Sequence, residues 1–120
     1  MKRRILIVEK DKGIREVLDY LLTDEGFDVK SFSHLDGIIN HIEEYDPQVI
    51  LFDIVVPGVE DSDICRLIKT SKTTKHVPVI VLSTNPKVTA TIKDVCADEV
   101  ISKPFDIEEL LETIENQIAA

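Results

Sequence analysis

The sequence lacks a long apolar segment and lacks an excess of basic residues. No apolar run is long enough to cross a bilayer. The run that follows the basic residues 2–4 is too short for a signal peptide and ends at the charged residues 9–11. Lys+Arg 14 against Asp+Glu 23 gives a formal net charge of -9, which argues against a nucleic-acid or anionic-membrane surface. We therefore expect a cytoplasmic domain that binds neither membranes nor nucleic acid.

Motifs typical of nucleotide-binding enzymes are also missing. The sequence contains no G-x-G-x-x-G and no G-x-x-x-x-G-K-[ST], and no second aspartate stands two residues after Asp53. The three histidines lie beside or on predicted elements without metal-ligand or catalytic spacing. Little therefore supports an enzyme, and we expect a protein that is not one.

Only two cysteines are present, and repeats, linkers and low-complexity tracts are absent. Cys65 and Cys96 each fall within a predicted helix among apolar neighbours. Buried free thiols of a cytosolic protein are the favoured interpretation, ahead of a disulfide or a reactive site. The length of 120 residues with 43% hydrophobic residues suits one domain, residues 1–120, with a real core.

The stretch from Val49 to Gly58 carries the strongest signal. Four apolar residues lead into a single carboxylate, Asp53, and Pro57-Gly58 then marks a turn. A continuous apolar run that ends at a turn is typical of a strand buried on both faces of a parallel sheet. Asp53 would lie at the C-terminal end of that strand, where open α/β sheets place their ligand crevice. Taken alone, a capping or turn aspartate remains the simpler interpretation.

Strand and helix patterns alternate along the whole chain. Strands are predicted over residues 3–8, 27–33, from 49, over 77–82 and over 99–102. Helical spacing of apolar residues predicts helices over residues 14–22, 35–42, 61–72, 86–97 and 107–118. This alternation predicts an α/β flavodoxin-like fold: a doubly wound five-stranded parallel sheet in the order 2-1-3-4-5 with five helices. The second strand is the most polar one and suits a sheet edge.

The predicted topology gathers chemically useful side chains at one edge of the sheet. The C-terminal ends of the first, third, fourth and fifth strands would bring together six residues: Glu9, Lys10, Asp53, Ser83, Thr84 and Lys103. Each is weak evidence alone. From the residues only, a solvated Lys103 and a helix-capping Ser83 would be the preferred interpretations.

Four segments in this order and spacing resemble the receiver domain of two-component response regulators. They are Ile5 to Asp11, Leu51 to Gly58, Val77 to Ser83 and Ala97 to Phe105. The resemblance covers essentially the whole chain. It implies a phosphorelay protein of the cytoplasm whose partner is a histidine kinase or a phosphotransfer protein. Any output domain would be separate or absent from this chain.

The resemblance also implies residue roles around the phosphoryl group. Asp53 matches the aspartate that accepts the phosphoryl group, and the positive charge that this chemistry needs would come from Lys103. Ser83, with Thr84 beside it, matches the hydroxyl that moves toward the phosphoryl group. Ser83 and Val100 are the two positions of the family's conformational switch. A cis bond at Lys103-Pro104 would also be typical of the family.

The implied Mg²⁺ site departs from the family pattern. Its ligands would be the carboxylates of Glu9 and Asp53 and the backbone carbonyl of Val55. The family has a second acidic residue where this chain has Lys10, so we expect weak or absent Mg²⁺ binding. We also expect Lys10 to act as a tethered cation, and in the metal-free state it could pair with Glu9 or Asp53. Asp61 stands where the family usually has glycine.

The switch position and the first helix cap lead to further expectations. Val100 replaces the usual aromatic switch residue, and the carboxylate of Asp11 is expected to cap the first helix. Two hypotheses remain open: a receiver that is phosphorylated on Asp53 with an altered metal site, and a phosphorylation-independent pseudo-receiver that acts as a protein-interaction module. An enzyme on the same sheet is a third, weakly supported hypothesis.

Overall fold

The computed structural model describes residues 3–54, 59–85, 92 and 96–119. Within them lie five strands: β1 (Arg4–Val8), β2 (Asp28–Phe32), β3 (Val49–Asp53), β4 (Val79–Ser83) and β5 (Glu99–Ser102). The helices described are α1 (Lys12–Asp24), α2 (Ile38–Tyr45), α3 (Val59–Thr70) and a last helix (Ile107–Ala119). No helix in these ranges has the length and apolar character that a membrane span requires.

The strands form one parallel sheet in the order β2-β1-β3-β4-β5, as predicted. Ile7 pairs with Leu51, and Asp53 pairs with Leu82. Between β4 and β5, Ser83 pairs with Ser102. This register brings the C-terminal ends of β1, β3, β4 and β5 to the same edge of the sheet, which is where the candidate residues were expected to meet.

Apolar side chains alternate between the two faces of the sheet because successive strand residues point to opposite sides. On β1, Ile5 and Ile7 pack with α1 and the last helix, whereas Leu6 and Val8 pack with α2 and α3. Both sides are buried cores. Helix α1 and the last helix therefore cover one face of the sheet, and α2 and α3 cover the other.

The fifth predicted helix is the main difference from the sequence-based fold. Four helices are described rather than five, because the helix expected over residues 86–97 lies largely outside the described residues. Its residue Ile92 is described, is buried and belongs to the core on the α2 and α3 side. The polar strand β2 lies at the sheet edge, as its composition predicted.

Helix ends follow from local capping chemistry. The carboxylate of Asp11 accepts a hydrogen bond from the backbone N–H of Ile14 at 2.9 Å, which confirms its capping role in α1. Gly26, with φ +97°, follows the end of this helix in the left-handed region. Gly37 has φ +66° and precedes α2, so Leu35 lies before the helix instead of within it.

The prediction of two free thiols is wrong, because Cys65 and Cys96 form a disulfide with a Cα–Cα distance of 5.7 Å. Cys65 lies on α3, and Cys96 lies in the turn before β5. One helical turn further along α3, Lys69 contacts the carboxylate of Asp98 at 2.8 Å. Two links, one covalent and one ionic, therefore join α3 to this turn. Because the two cysteines are 31 residues apart, local sequence patterns gave no indication of this contact.

Candidate functional site

The two central carboxylates follow neighbouring strands. Asp53 is the last residue of β3 and is 2% exposed, and Glu9 directly follows β1 and is fully buried. Because β1 and β3 are parallel neighbours, their ends place both side chains in one pocket. Buried carboxylates are costly unless they are paired, so the pocket requires a cation.

Lys103 supplies that cation. Its ammonium lies 2.7 Å from Oε1 of Glu9 and 2.8 Å from Oδ1 of Asp53, and its side chain is 10% exposed. The backbone N–H of Lys103 donates to the carbonyl of Ser83 at 2.9 Å, which extends the β4–β5 pairing by one residue. The peptide bond Lys103-Pro104 is cis. The lysine is thus a buried member of the pocket, in contrast to the solvated lysine that the residues alone would favour.

The pocket holds two negative groups against one ammonium. Burial raises the pKa of Glu9, and the nearby Asp53 carboxylate raises it further, while Lys103 acts in the opposite direction. Burial lowers the pKa of Lys103, but its hydrogen bonds to Asp53 and Glu9 outweigh this effect and raise the pKa overall. Burial disfavours the charged forms of Glu9 and Lys103, and the contact between these two side chains opposes that effect.

Lys10 does not supply the missing charge. Its ammonium contacts both carboxylate oxygens of Asp61, at 3.2 Å and 3.1 Å. The expectation that Lys10 could pair with Glu9 or Asp53 is therefore replaced by a different pair, which links the loop after β1 to the first turn of α3. The Asp61 side chain is only 10% exposed, whereas that of Lys10 is 47% exposed.

The donor set matches an Mg²⁺ site poorly. Mg²⁺ requires near-octahedral oxygen ligation, and Glu9 and Asp53 contribute two carboxylates that are both engaged by Lys103. Across the described part of the chain, no group of three His, Cys, Asp or Glu side chains could hold a metal ion. Val55, whose carbonyl was the third expected ligand, lies outside the described residues.

The remaining candidate residues are Ser83, Thr84 and Val100, and each has a different environment. Ser83 is fully buried, and its hydroxyl accepts a hydrogen bond from the backbone N–H of Asn85 at 3.0 Å, so it caps a local turn. Thr84 is exposed. Val100 is half-buried and packs against the core on the α2 and α3 side. The structure brings Glu9, Asp53 and Lys103 together and leaves Val100 outside the pocket.

Sequence reasoning missed the partner of Lys10. Asp61 was considered only as a departure from the family pattern, whereas Lys10 was expected to act as a tethered cation that could pair with Glu9 or Asp53. Relative to the family pattern, lysine at position 10 adds positive charge and aspartate at position 61 adds negative charge, and these changes of opposite sign were the available signal that the two side chains meet. Only the fold shows that residues 51 positions apart are in contact.

The fold and this three-residue pocket agree with the comparison to protein families. The model of the response regulator receiver domain matches residues 5–115. The chain therefore belongs to the receiver-domain family of two-component signalling proteins. The three sequence segments that supply Glu9, Asp53 and Lys103 all fall within the match.

Curated relatives support the same family. The chain is 32% identical over 116 residues to the phosphate regulon transcriptional regulatory protein PhoB of Klebsiella pneumoniae, with 95% of this chain and 51% of the relative covered. It is 31% identical over 116 residues to the DNA-binding response regulator MtrA of Mycobacterium leprae, with 92% and 49% covered. The chain spans about half the length of these relatives.

Solved structures share the fold over the full length. The structure of a protein assigned as a response regulator from Chloroflexus aurantiacus superimposes with a TM-score of 0.90 at 22% identity, with all of both chains covered. The receiver domain of a sensor histidine kinase from Pseudomonas aeruginosa has a TM-score of 0.88 at 21% identity, also with full coverage. That structure contains a magnesium ion in its active-site cleft. At these identities the similarity shows the fold alone.

Proposed function

We propose that this chain accepts a phosphoryl group on Asp53 from a histidine kinase or phosphotransfer protein and passes the signal on by protein contact. It acts as a phosphorylated switch in the cytoplasm, not as an enzyme with turnover of its own. The observation that carries the proposal is the contact of Lys103 with Asp53 at 2.8 Å. A nucleophilic carboxylate at the end of a central strand already has its stabilising cation in place.

The proposed step is a single displacement at phosphorus. An oxygen of the ionised Asp53 carboxylate attacks the phosphorus of a phosphohistidine, a new P–O bond forms, and the P–N bond breaks. The leaving imidazole nitrogen takes the electron pair of that bond. The Lys103 ammonium offsets the negative charge of the phosphoryl oxygens, which is the main contribution that a protein makes to phosphoryl transfer.

We propose that Mg²⁺ binds weakly or not at all in the wild-type pocket. Lys10 removes one carboxylate ligand, and Lys103 occupies the two carboxylates that remain. The pair with Asp61 partly neutralises Lys10, so loss of a ligand contributes more than direct repulsion between the ammonium and the metal. The charge on Lys103 would then replace part of the charge that a metal would provide.

A second candidate function is a phosphorylation-independent pseudo-receiver that binds partners in a single conformation. Two observations favour it: Lys103 holds both carboxylates, and the usual aromatic switch position is Val100. A side chain as small as valine sweeps little volume when it changes rotamer. In this hypothesis the pocket is a structural ion-pair network and never receives a phosphoryl group.

Incubation with a small phosphodonor separates the two functions. Wild-type protein and Asp53→Asn are each treated with acetyl phosphate, with and without Mg²⁺, and intact mass is measured. We expect the wild type to gain the mass of one phosphoryl group and the Asp53→Asn variant to gain none. Peptide mapping should place the modification on Asp53.

The metal dependence tests the second part of the proposal. We expect Lys10→Asp to bind Mg²⁺ and to be phosphorylated faster with the metal, whereas the wild type should depend on it little. Absence of any mass gain in the wild type under all these conditions would favour the pseudo-receiver. Equal, clear Mg²⁺ binding by the wild type and Lys10→Asp would contradict the proposed weak metal site.

A further inference from the structure

The pocket around Asp53 is one positive charge short. Glu9 and Asp53 are almost completely buried, and Lys103 is the cation that contacts both of them. Burial raises the pKa of Glu9, and the neighbouring Asp53 carboxylate raises it further. A second cation of sufficient reach would therefore be attracted to the two carboxylates.

Lys10 is a nearby cation with that reach. It directly follows Glu9 in the chain, and its ammonium is carried on a flexible four-carbon stem. In the structure, both oxygens of Asp61 hold it instead, at 3.1 and 3.2 Å. Asp61 is 7% exposed and belongs to the first turn of α3, so a buried carboxylate holds a lysine side chain that is itself half exposed.

We infer that Asp61 is a positioning residue that draws Lys10 away from Asp53 and Glu9 and so keeps the phosphoryl-accepting carboxylate available. The expected effect on phosphorylation rests on the proposed function, whereas the competition between carboxylates for Lys10 does not depend on it. A pocket with two lysines would neutralise both carboxylates fully. Asp53 would then be a weaker nucleophile that is blocked by an additional ammonium.

A purely local role for Asp61 is the competing explanation. A carboxylate in the first turn of a helix interacts favourably with the helix dipole whatever Lys10 does. The two explanations differ in one respect. If Asp61 acts by holding Lys10, removal of the Asp61 charge changes the pocket only when Lys10 is present. If Asp61 acts on α3 alone, the effect is the same whether Lys10 is present or absent.

A double-mutant cycle uses this difference. The proteins are wild type, Asp61→Asn, Lys10→Ala and the double variant K10A/D61N, and the readout is the ¹³C NMR shift of the Glu9 and Asp53 side-chain carboxyl carbons. Asp63→Asn is the matched control, because it removes the same charge from an exposed position two residues along α3. It measures the long-range effect of one lost charge.

We expect D61N to shift the Glu9 and Asp53 carboxyl signals well beyond the D63N control. Going from K10A to K10A/D61N should shift them no more than the control does. Equal shifts in both backgrounds, or no shift in D61N beyond the control, would overturn the inference. Asp61→Glu, which keeps the charge, should retain the wild-type signals.

Lys10→Ala tests the inference even where D61N fails to fold. Since Lys10 lies on Asp61 and not in the pocket, K10A alone should leave the Glu9 and Asp53 signals within the range of the D63N control. A large shift in K10A would show that Lys10 already occupies the pocket and would overturn the inference.

The functional consequence is measured separately. With acetyl phosphate, D61N should be phosphorylated several-fold more slowly than the wild type, and K10A/D61N should match K10A. If the wild type takes up no phosphoryl group, the proposed function fails, while the NMR cycle still decides whether Asp61 positions Lys10. Normal phosphorylation of a folded D61N would overturn the stated consequence.

Discussion

Replacement of Lys103 by methionine would remove the only ammonium that contacts the two buried carboxylates among the described residues. Methionine keeps much of the length and the apolar stem of lysine, so the change removes a charge more than it removes packing. Glu9 and Asp53 would then face each other without a cation, each almost inaccessible to water. We expect a large loss of stability at neutral pH.

The magnitude follows from the geometry. At 2.8 Å and an effective dielectric constant of about 20, one carboxylate–ammonium attraction is worth about 6 kcal/mol before desolvation. Desolvation of the three groups offsets much of this, and removing one partner of a buried pair typically costs about 3–5 kcal/mol. The Lys103 side chain is 10% exposed, so solvent screening is small. A loss of about 4 kcal/mol is a large part of the roughly 5–15 kcal/mol that stabilises an ordinary domain.

Urea denaturation followed by far-ultraviolet circular dichroism is a suitable assay, since the chain has no tryptophan to report on unfolding. The control is Lys75→Met, which makes the same change at an exposed lysine. A second variant, Glu9→Gln in the Lys103→Met background, removes the repulsion between the carboxylates and should restore a substantial part of the loss. A Lys103→Met protein destabilised by less than about 1 kcal/mol, or one that Glu9→Gln does not rescue, would refute the buried-pocket electrostatics.

Three further perturbations have calculable outcomes. Reduction of the Cys65–Cys96 disulfide, whose cysteines are 31 residues apart, should lower the free energy of unfolding in urea by about 3–4 kcal/mol. The stability of a C65S/C96S double variant should not change with reductant. A wild type whose stability is insensitive to reductant would contradict the presence of the bond. Burial raises the pKa of Tyr45 from 10.0 to about 12. The stability that the buried neutral phenol contributes is therefore complete below pH 10 and is lost as the pH rises from 10 toward 12. Tyr45→Phe should therefore lose less stability across this range than Tyr20→Phe, which alters a 71% exposed tyrosine; equal pH profiles would count against the shift. Asp46→Gly should raise the free energy of unfolding in urea by about 0.5 kcal/mol, because relief of the left-handed backbone at φ 52° outweighs loss of the exposed ion pair with Arg4 at 3.6 Å. An unchanged or lower free energy of unfolding would contradict this balance.

Much of the fold was predictable because it depends on patterns within short segments. The apolar runs that became β1, β3 and β4 are buried on both faces, and the polar strand β2 is at the edge. Handedness of the crossovers then leaves few ways to order five parallel strands. Helix ends at Asp11 and Gly26 follow from capping and left-handed backbone preferences, which are also local.

For the pocket, the sequence predicted which residues lie near one another but not all of their contacts. Topology placed Asp53, Lys103 and Glu9 at one sheet edge, because the ends of parallel strands meet there. The family resemblance implied that Lys103 lies near the phosphoryl group on Asp53, but from the residues alone its contact with Glu9 and the partner of Lys10 were not predictable, since each long side chain can reach several partners. The pairing of Lys103 with both buried carboxylates is a result of three-dimensional geometry.

Two contacts were decided by the tertiary structure alone. Lys10 and Asp61 are 51 residues apart, and Cys65 and Cys96 are 31 apart; no local periodicity relates the members of either pair. The sequence by itself determined the elements, their order and the position of the carboxylate on the central strand, because burial and backbone preference act over a few residues. The pairing of charged side chains depends on the packing of α3 against the sheet. This packing brings Asp61 to Lys10 in the loop after β1, and Asp53 is contacted by Lys103 instead.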